Sequence, residues 1–142
     1  MTTVLPESGR ALTISTFGGN PVSTRGAIAT LNYMEEHDTK SHVERVGTYL
    51  KGKLLDLKDK YRLIGDVRGM GLILGVELVR EKKEPAANEI LKLFESCRKR
   101  GLLIGKGGLY GNVVRISPPM TVDKPQIDEA ITILDQAFAE IQ

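Results

Sequence analysis

The chain has 142 residues, 20 Lys plus Arg against 18 Asp plus Glu, a net charge of +2 and 41% hydrophobic residues. This balance excludes a strongly basic nucleic-acid-binding surface and an acidic solvating tail, and it is typical of one soluble globular domain. One cysteine excludes an intrachain disulfide, and no apolar run approaches the roughly 18 residues of a membrane span. A cytoplasmic location is the default expectation.

The first half of the chain predicts an arm followed by two helices. Residues 1–15 have no clear period, and the motif STFGGNP follows at 15–21. A helix is predicted over about 21–36, with Asn20 as its N-cap and Pro21 as its first residue. A second helix is predicted over about 41–61, because apolar residues recur there at helical spacing along one face.

Apolar segments punctuated by glycines predict the first two strands and a third helix. A short strand is expected before the RGMG segment and a longer one over about 72–79. Gly75 in the longer strand predicts a closely packed neighbour or a bulge. The helix is expected over about 86–100, with Leu91 among its buried residues and Gly101 as its stop.

The last third of the chain adds two short strands and a final helix. LLIG at 102–105 and VVRIS at 113–117 predict the strands, which are separated by the glycine-rich loop GKGGLYGN. The helix begins near Lys124, where Asp123 and Gln126 have capping-box spacing. Because strands and helices do not alternate strictly, the order predicts an α+β fold, in which helices cover a small, mostly antiparallel sheet.

The STFGGNP motif has two interpretations. Glycines ahead of a helix N-terminus let an anion approach free amide groups, and the Thr16 hydroxyl could donate to a phosphate oxygen. The motif is not a P-loop, because no Gly-Lys-Ser/Thr follows it. From spacing alone, a tight turn with a helix cap is favoured.

Two arginines in strand-like segments are candidates for binding or for structure. Arg115 alternates with Val114 and Ile116, so its guanidinium faces solvent or a cleft if those two residues pack into the core. A guanidinium binds a carboxylate bidentately, although an exposed arginine or a structural ion pair fits the pattern as well. Arg68 is expected to fix a loop through an ion pair, with Glu77 as a candidate partner.

The remaining candidate residues give weaker indications of a functional site. GKGG at 105–108 is either an anion loop with Lys106 or a flexible connection. Cys97 lies on an apolar helix face and is expected in the core rather than as a nucleophile. His37 and His42 are poor candidates for a metal pair. No catalytic residue and no metal ligand are therefore predicted in this chain.

Taken in order, four segments and a final helix carry a family resemblance: STFGGNP, VRGMGLILGVELV, RGLLIGKGG and VVRISPPM. This series resembles the C-terminal part of a class III (subgroup II) pyridoxal-phosphate-dependent aminotransferase, most of all the alanine–glyoxylate aminotransferase 2-like type, over about residues 13–142. The resemblance implies the C-terminal small domain of a fold type I transferase. Residues 1–20 would then be an arm or loop remnant of the large domain, and 21–142 the small domain.

The resemblance also implies contacts with a cofactor and a substrate. In the family, the threonine matching Thr16 reaches the phosphate of pyridoxal 5'-phosphate bound by the other subunit of a homodimer, and Ser15 lies beside it. The arginine matching Arg115 binds the substrate carboxylate. The implied activity is amino-group transfer between an amino acid or amine and a 2-oxo acid, with alanine and glyoxylate as the first guess. The segment at 68–71 is expected to be structural.

The chain departs from the family in what precedes the STFGGNP motif. The family's Schiff-base lysine lies a few tens of residues before this motif, whereas the first lysine here is Lys40 and the first aspartate is Asp38. The covalent anchor of the cofactor and its electronic partner are therefore missing. We expect a fragment, a cleaved product or an isolated domain that is inactive alone. The alternatives are a stand-alone, non-catalytic module that binds a small anionic ligand, and an inert α+β interaction domain.

Overall fold

The computed structural model describes residues 16–141, which belong to two compact units that divide between Asp38 and Thr39. The first unit contains the STFGGNP turn and helix α1 (Pro21–Glu36). This helix has the predicted bounds and the predicted cap, because the side-chain oxygen of Asn20 accepts hydrogen bonds of 3.0 Å from two first-turn amides. No residue of α1 is buried.

The second unit is an α+β fold of three helices and a four-stranded sheet. All neighbouring strands are antiparallel, in the spatial order β1-β2-β4-β3. This architecture confirms the predicted fold class. In chain order the elements are α2 (Thr39–Lys60), β1 (Ile64–Met70), β2 (Ile73–Leu78), a one-turn 3₁₀ helix (Glu81–Lys83), α3 (Ala87–Lys99), β3 (Gly105–Gly107), β4 (Val113–Ile116) and α4 (Lys124–Ile141).

One face of the sheet packs against the helices and forms the core. Along β2 the buried residues alternate, with Leu74, Val76 and Leu78 each at most 2% exposed, and Val114 of β4 lies beside them. The other face carries Arg68 and Arg115, which are both exposed. Across that face the strand registers align four residues, in the order Arg68, Gly75, Arg115 and Gly105.

Two strands differ from their predicted positions. The first strand continues through Met70 and is longer than the second, because the RGM segment pairs with residues 73–75 of β2. The third strand is Gly105–Gly107 rather than 102–105. The amide of Leu102 still donates to the carbonyl of Cys97 at the end of α3, so pairing with β4 begins only after the chain has left that helix.

The prediction that Leu91 is buried was wrong. Its side chain is 58% exposed, whereas Leu93 is fully buried. The buried face of α3 runs through Ile90, Leu93 and Cys97, at spacings of three and four residues. Leu91 follows Ile90 by one residue and so lies about 100° around the helix axis from it.

Other local predictions were confirmed. Asp123 and Gln126 form a reciprocal capping box, with backbone-to-side-chain hydrogen bonds of 3.1 and 2.9 Å at the start of α4. A side chain on Gly75 would lie 3.2 Å from Val113, which is the predicted close neighbour. The register irregularity lies instead between Ile64 and Asp66. Within residues 16–141, none of the helices has the length and apolarity needed to traverse a bilayer.

Candidate functional site

Arg115 lies on the outward face of the sheet, as its alternation predicted. Val114 packs into the core and Ile116 is half-buried against it, while Arg115 is exposed. Its partners on the two neighbouring strands are both glycines, Gly75 and Gly105. The guanidinium therefore meets no side chain directly across either strand, and it lies against Gly105 at the sheet edge.

A cavity of about 340 Å³ has Arg115 and Gly105 among its lining residues. Its walls come from the segment before β3, the segment after β4, and helices α2 and α4, and most of the lining side chains are apolar. Among the described residues that line it, Arg115 is the one that carries a charge. Ser117 and Gln126 supply further polar groups. This combination of apolar walls and few polar groups is typical of a small-molecule site.

The two arginines of the outward face have different surroundings. Arg68 Nη1 lies 2.6 Å from a Glu77 oxygen and 3.0 Å from an Asp66 oxygen, so the predicted ion pair with Glu77 is present. Hydrogen bonds from Arg68 hold the pKa of both carboxyl groups below their ordinary values. In the part of the chain that the structure describes, no carboxylate oxygen lies within 4.0 Å of the Arg115 guanidinium. Arg115 is thus available to an external anion.

We expect Arg68→Gln to lower the free energy of unfolding of the chain by about 0.5–1 kcal/mol at pH 7, because both pairs are partly exposed. Each carboxyl pKa is lowered in the folded state, so its stabilisation is present above the unfolded pKa and is lost as the pH falls through the folded value. The difference from the wild type should therefore shrink between about pH 5 and pH 3.

Urea unfolding at pH 7 and at pH 3 measures this difference. Arg62→Gln is the matched control, because Arg62 is exposed and has no ion pair with any of residues 16–141. A loss of stability that is equal at the two pH values would contradict the ion-pair explanation.

Residues 16–20 of the STFGGNP motif form a turn that leads into α1. Gly19 adopts a left-handed conformation, with φ of +77°. The side-chain oxygen of Asn20 accepts hydrogen bonds from the amides of Val22 and Ser23, and its backbone carbonyl accepts one from the amide of Thr24. These amides are therefore already bonded, which bears on the anion-loop alternative. The favoured turn-and-cap interpretation describes the observed geometry.

The groups left for a cofactor phosphate in this motif are the hydroxyl of Thr16 and the backbone of the following glycines. Thr16, Gly18 and Gly19 are all exposed, and a side chain built on Gly19 would meet nothing within 4 Å. Hydroxyl and amide donors fit a phosphate group. Thr16 belongs to the first unit and Arg115 to the second. Ser15, the other expected phosphate contact, lies outside the described residues.

The other candidates are structural in this geometry. Cys97 is fully buried, and desolvation raises the pKa of its thiol to about 11, which confirms a core residue rather than a nucleophile. The GKGG segment is not simply a flexible loop, because Gly105–Gly107 form β3. Sequence reasoning missed the role of Gly105 beside Arg115, since the signal for it is the cross-strand register between residues ten positions apart.

One family model and several known proteins match most of this chain. The model of the family described as aminotransferase class-III matches residues 3–138. The mitochondrial alanine–glyoxylate aminotransferase 2 homolog 2 of Arabidopsis thaliana is 44% identical, over 96% of this chain and 30% of its own length. A leucine/methionine racemase of Thermococcus litoralis is 41% identical, over 97% of this chain and 30% of its own length.

A solved structure gives the same relationship in three dimensions. An aminotransferase of Bacillus anthracis superimposes with a TM-score of 0.85 at 31% identity, over 95% of this chain and 32% of that chain. The chain thus spans about 30% of the length of the curated relatives it matches.

Proposed function

We propose a function for this chain, which belongs to the class III aminotransferase family. In this proposal the chain is the small C-terminal domain of a longer pyridoxal-phosphate-dependent enzyme. The proposed reaction is amino-group transfer between an amino acid or amine and a 2-oxo acid. Relatives about three times as long support a longer polypeptide, whose large domain is the first proposed partner. A homodimer is the second. In this proposal residues 1–20 go with the large domain and residues 21–142 form the small domain.

The observation that carries the proposal is the state of Arg115. Its guanidinium has no acidic partner among residues 16–141, whereas Arg68 on the same sheet face is held by two carboxylates. Arg115 is also among the residues that line a mostly apolar cavity. A substrate carboxylate would accept two parallel hydrogen bonds from the Arg115 guanidinium. Such a fixed contact orients the rest of the substrate for reaction.

Pyridoxal phosphate, when bound, supplies the reactive carbonyl carbon and the electron sink for amino-group transfer. Thr16, with Ser15, is proposed to hold its phosphate across the dimer. The lysine that binds the cofactor covalently would come from the longer polypeptide, since no lysine precedes Lys40 in this chain. The chain alone is therefore proposed to be inactive.

Amino transfer by the full-length protein tests this proposal. With added pyridoxal phosphate, L-alanine and glyoxylate should yield pyruvate and glycine, whereas the 142-residue chain should yield neither. Because two of the relatives are racemases, the assay also follows the chirality of alanine in the absence of glyoxylate. Racemisation without amino transfer would overturn the proposed reaction.

Thr16→Val in the full-length protein should raise the dissociation constant of the cofactor roughly tenfold. This is the expected loss of one hydrogen bond to a charged oxygen. Cofactor absorbance after dialysis measures retention. Thr30→Val is the matched control, because the Thr30 hydroxyl donates to the carbonyl of Gly26 within α1. Equal retention in the two variants would exclude the phosphate contact.

One observation favours a second function, a stand-alone module that binds a small anionic ligand. Arg115 and every residue that lines the cavity lie in the second unit, so the site is formed by this chain alone. Size-exclusion chromatography of the 142-residue chain separates the two functions. A monodisperse chain that binds propionate would support the module, and self-association through exposed apolar surface would support the domain of a larger enzyme.

A cytoplasmic location completes the proposal. The Arabidopsis relative is named as mitochondrial. Cell fractionation with an antibody to the full-length protein decides between the two compartments.

A further inference from the structure

We propose that Gly105 is a positioning residue for Arg115. In this inference, the absence of a side chain at position 105 lets the guanidinium lie against the edge strand β3. The inference rests on the proposed function of Arg115 in carboxylate binding. It also gives a role to the GKGG motif, which the proposed function does not otherwise use.

The contact between the two residues is direct. Gly105 and Arg115 are register partners in the β3–β4 pair. A Cβ atom built on Gly105 would lie 3.1 Å from Nε and 3.2 Å from Nη2 of Arg115. Carbon and nitrogen atoms in favourable contact are about 3.5 Å or more apart. Any side chain at position 105 therefore pushes the guanidinium away from the strand by a few tenths of an ångström or more.

The backbone at this position does not itself require glycine. Gly105 is absent from the set of described residues with positive φ. Alanine or valine can therefore adopt its conformation in an edge strand, and what glycine provides here is space. Gly105 differs in this respect from Gly108, which has φ of +83°.

Gly107 is a matched comparison on the same strand. It lies two residues further along, so it shares a face of the sheet with Gly105. A Cβ on Gly107 would lie 3.9 Å from the carbonyl oxygen of Val113 and 4.0 Å from Cβ of Arg115, which are ordinary contacts. The same substitution at this position leaves the guanidinium where it is.

Bidentate recognition makes the displacement matter. The two N–H groups of a guanidinium must meet the two oxygens of a carboxylate in one plane. Binding sites of this kind need their groups within roughly 0.5 Å of the productive geometry. A methyl group at position 105 displaces the guanidinium by most of this distance, and an isopropyl group displaces it further.

The test compares Gly105→Ala and Gly105→Val with Gly107→Ala and Gly107→Val in the full-length protein. We expect the KM for glyoxylate and the inhibition constant of propionate to rise roughly fivefold in Gly105→Ala and further in Gly105→Val. The Gly107 variants should stay within about twofold of the wild type. Cofactor content and Tm, measured for all four variants, show whether each is folded. If Gly105→Val does not fold, Gly105→Ala still tests the inference.

A double-mutant cycle identifies the residue through which Gly105 acts. In an Arg115→Gln background, Gly105→Ala should cause no further rise in KM. A rise of equal size in both backgrounds, or equal effects at positions 105 and 107, would overturn the inference. If Arg115→Gln raises KM while Gly105→Ala and Gly105→Val do not, the inference alone fails. If Arg115→Gln leaves KM unchanged, the proposed role of Arg115 fails and the inference fails with it.

Discussion

Arg115→Gln in the full-length protein is expected to raise the KM for glyoxylate roughly 30-fold or more. Removing one partner of a desolvated, hydrogen-bonded charge pair costs at least 2 kcal/mol, because the remaining charge is left without its counterpart. Arg115 has no competing carboxylate among residues 16–141, so the proposed substrate carboxylate would be its acidic partner, in a site that the full-length protein would close off from water. The KM of Arg115→Lys should lie between those of the wild type and Arg115→Gln, because lysine keeps the charge and loses the planar pair of donors.

Steady-state kinetics with glyoxylate as the varied substrate measure this effect. Arg68→Gln is the control, since it makes the same chemical change in the same row of the sheet face, at a residue already held by Asp66 and Glu77. It should lower stability and leave KM near the wild-type value. An Arg115→Gln enzyme with unchanged KM would remove the main support for the proposed function.

Leu93→Ala is expected to lower the free energy of unfolding of the 142-residue chain by about 2–5 kcal/mol. Leu93 is fully buried between α3 and the core, so truncation loses apolar burial and leaves a cavity. Leu91→Ala should change stability by no more than about 0.5 kcal/mol, because Leu91 is 58% exposed on the same helix. The two positions share residue type and helix, so helix propensity cancels in the comparison.

Chemical denaturation followed by circular dichroism gives both values. Equal losses at the two positions would show that the helix faces are assigned incorrectly. Leu93 belongs to the hydrophobic core and not to the proposed carboxylate-binding site at Arg115. Where the variant still folds, its effect in the full-length protein should appear as lower thermal stability before any change in the KM for glyoxylate.

The relatives limit how far reaction type follows from the family. A racemase and an aminotransferase match nearly all of this chain at 41% and 44% identity. Similarity over this segment therefore does not distinguish the two reactions. For this reason the proposed assay follows alanine chirality together with amino transfer.

The amino-acid sequence by itself determined the helix termini and the order of the elements. Asn20 caps α1 and Asp123 pairs with Gln126 at α4 because each cap is an interaction between residues two or three positions apart. Alternation placed Arg115 opposite Val114 for the same reason, since the period of a strand is local. The ordered motifs also identified the family, as the match over residues 3–138 confirms.

Only the tertiary structure decided where β3 lies, which leucine of α3 is buried, and which arginine is free. Pairing of Gly105–Gly107 with β4 joins residues whose separation in sequence carries no period. Burial of Leu93 rather than Leu91 depends on the direction in which α3 faces the sheet. Long-range packing sets these features, so the space that Gly105 leaves for the Arg115 guanidinium became visible only once the strands were in register.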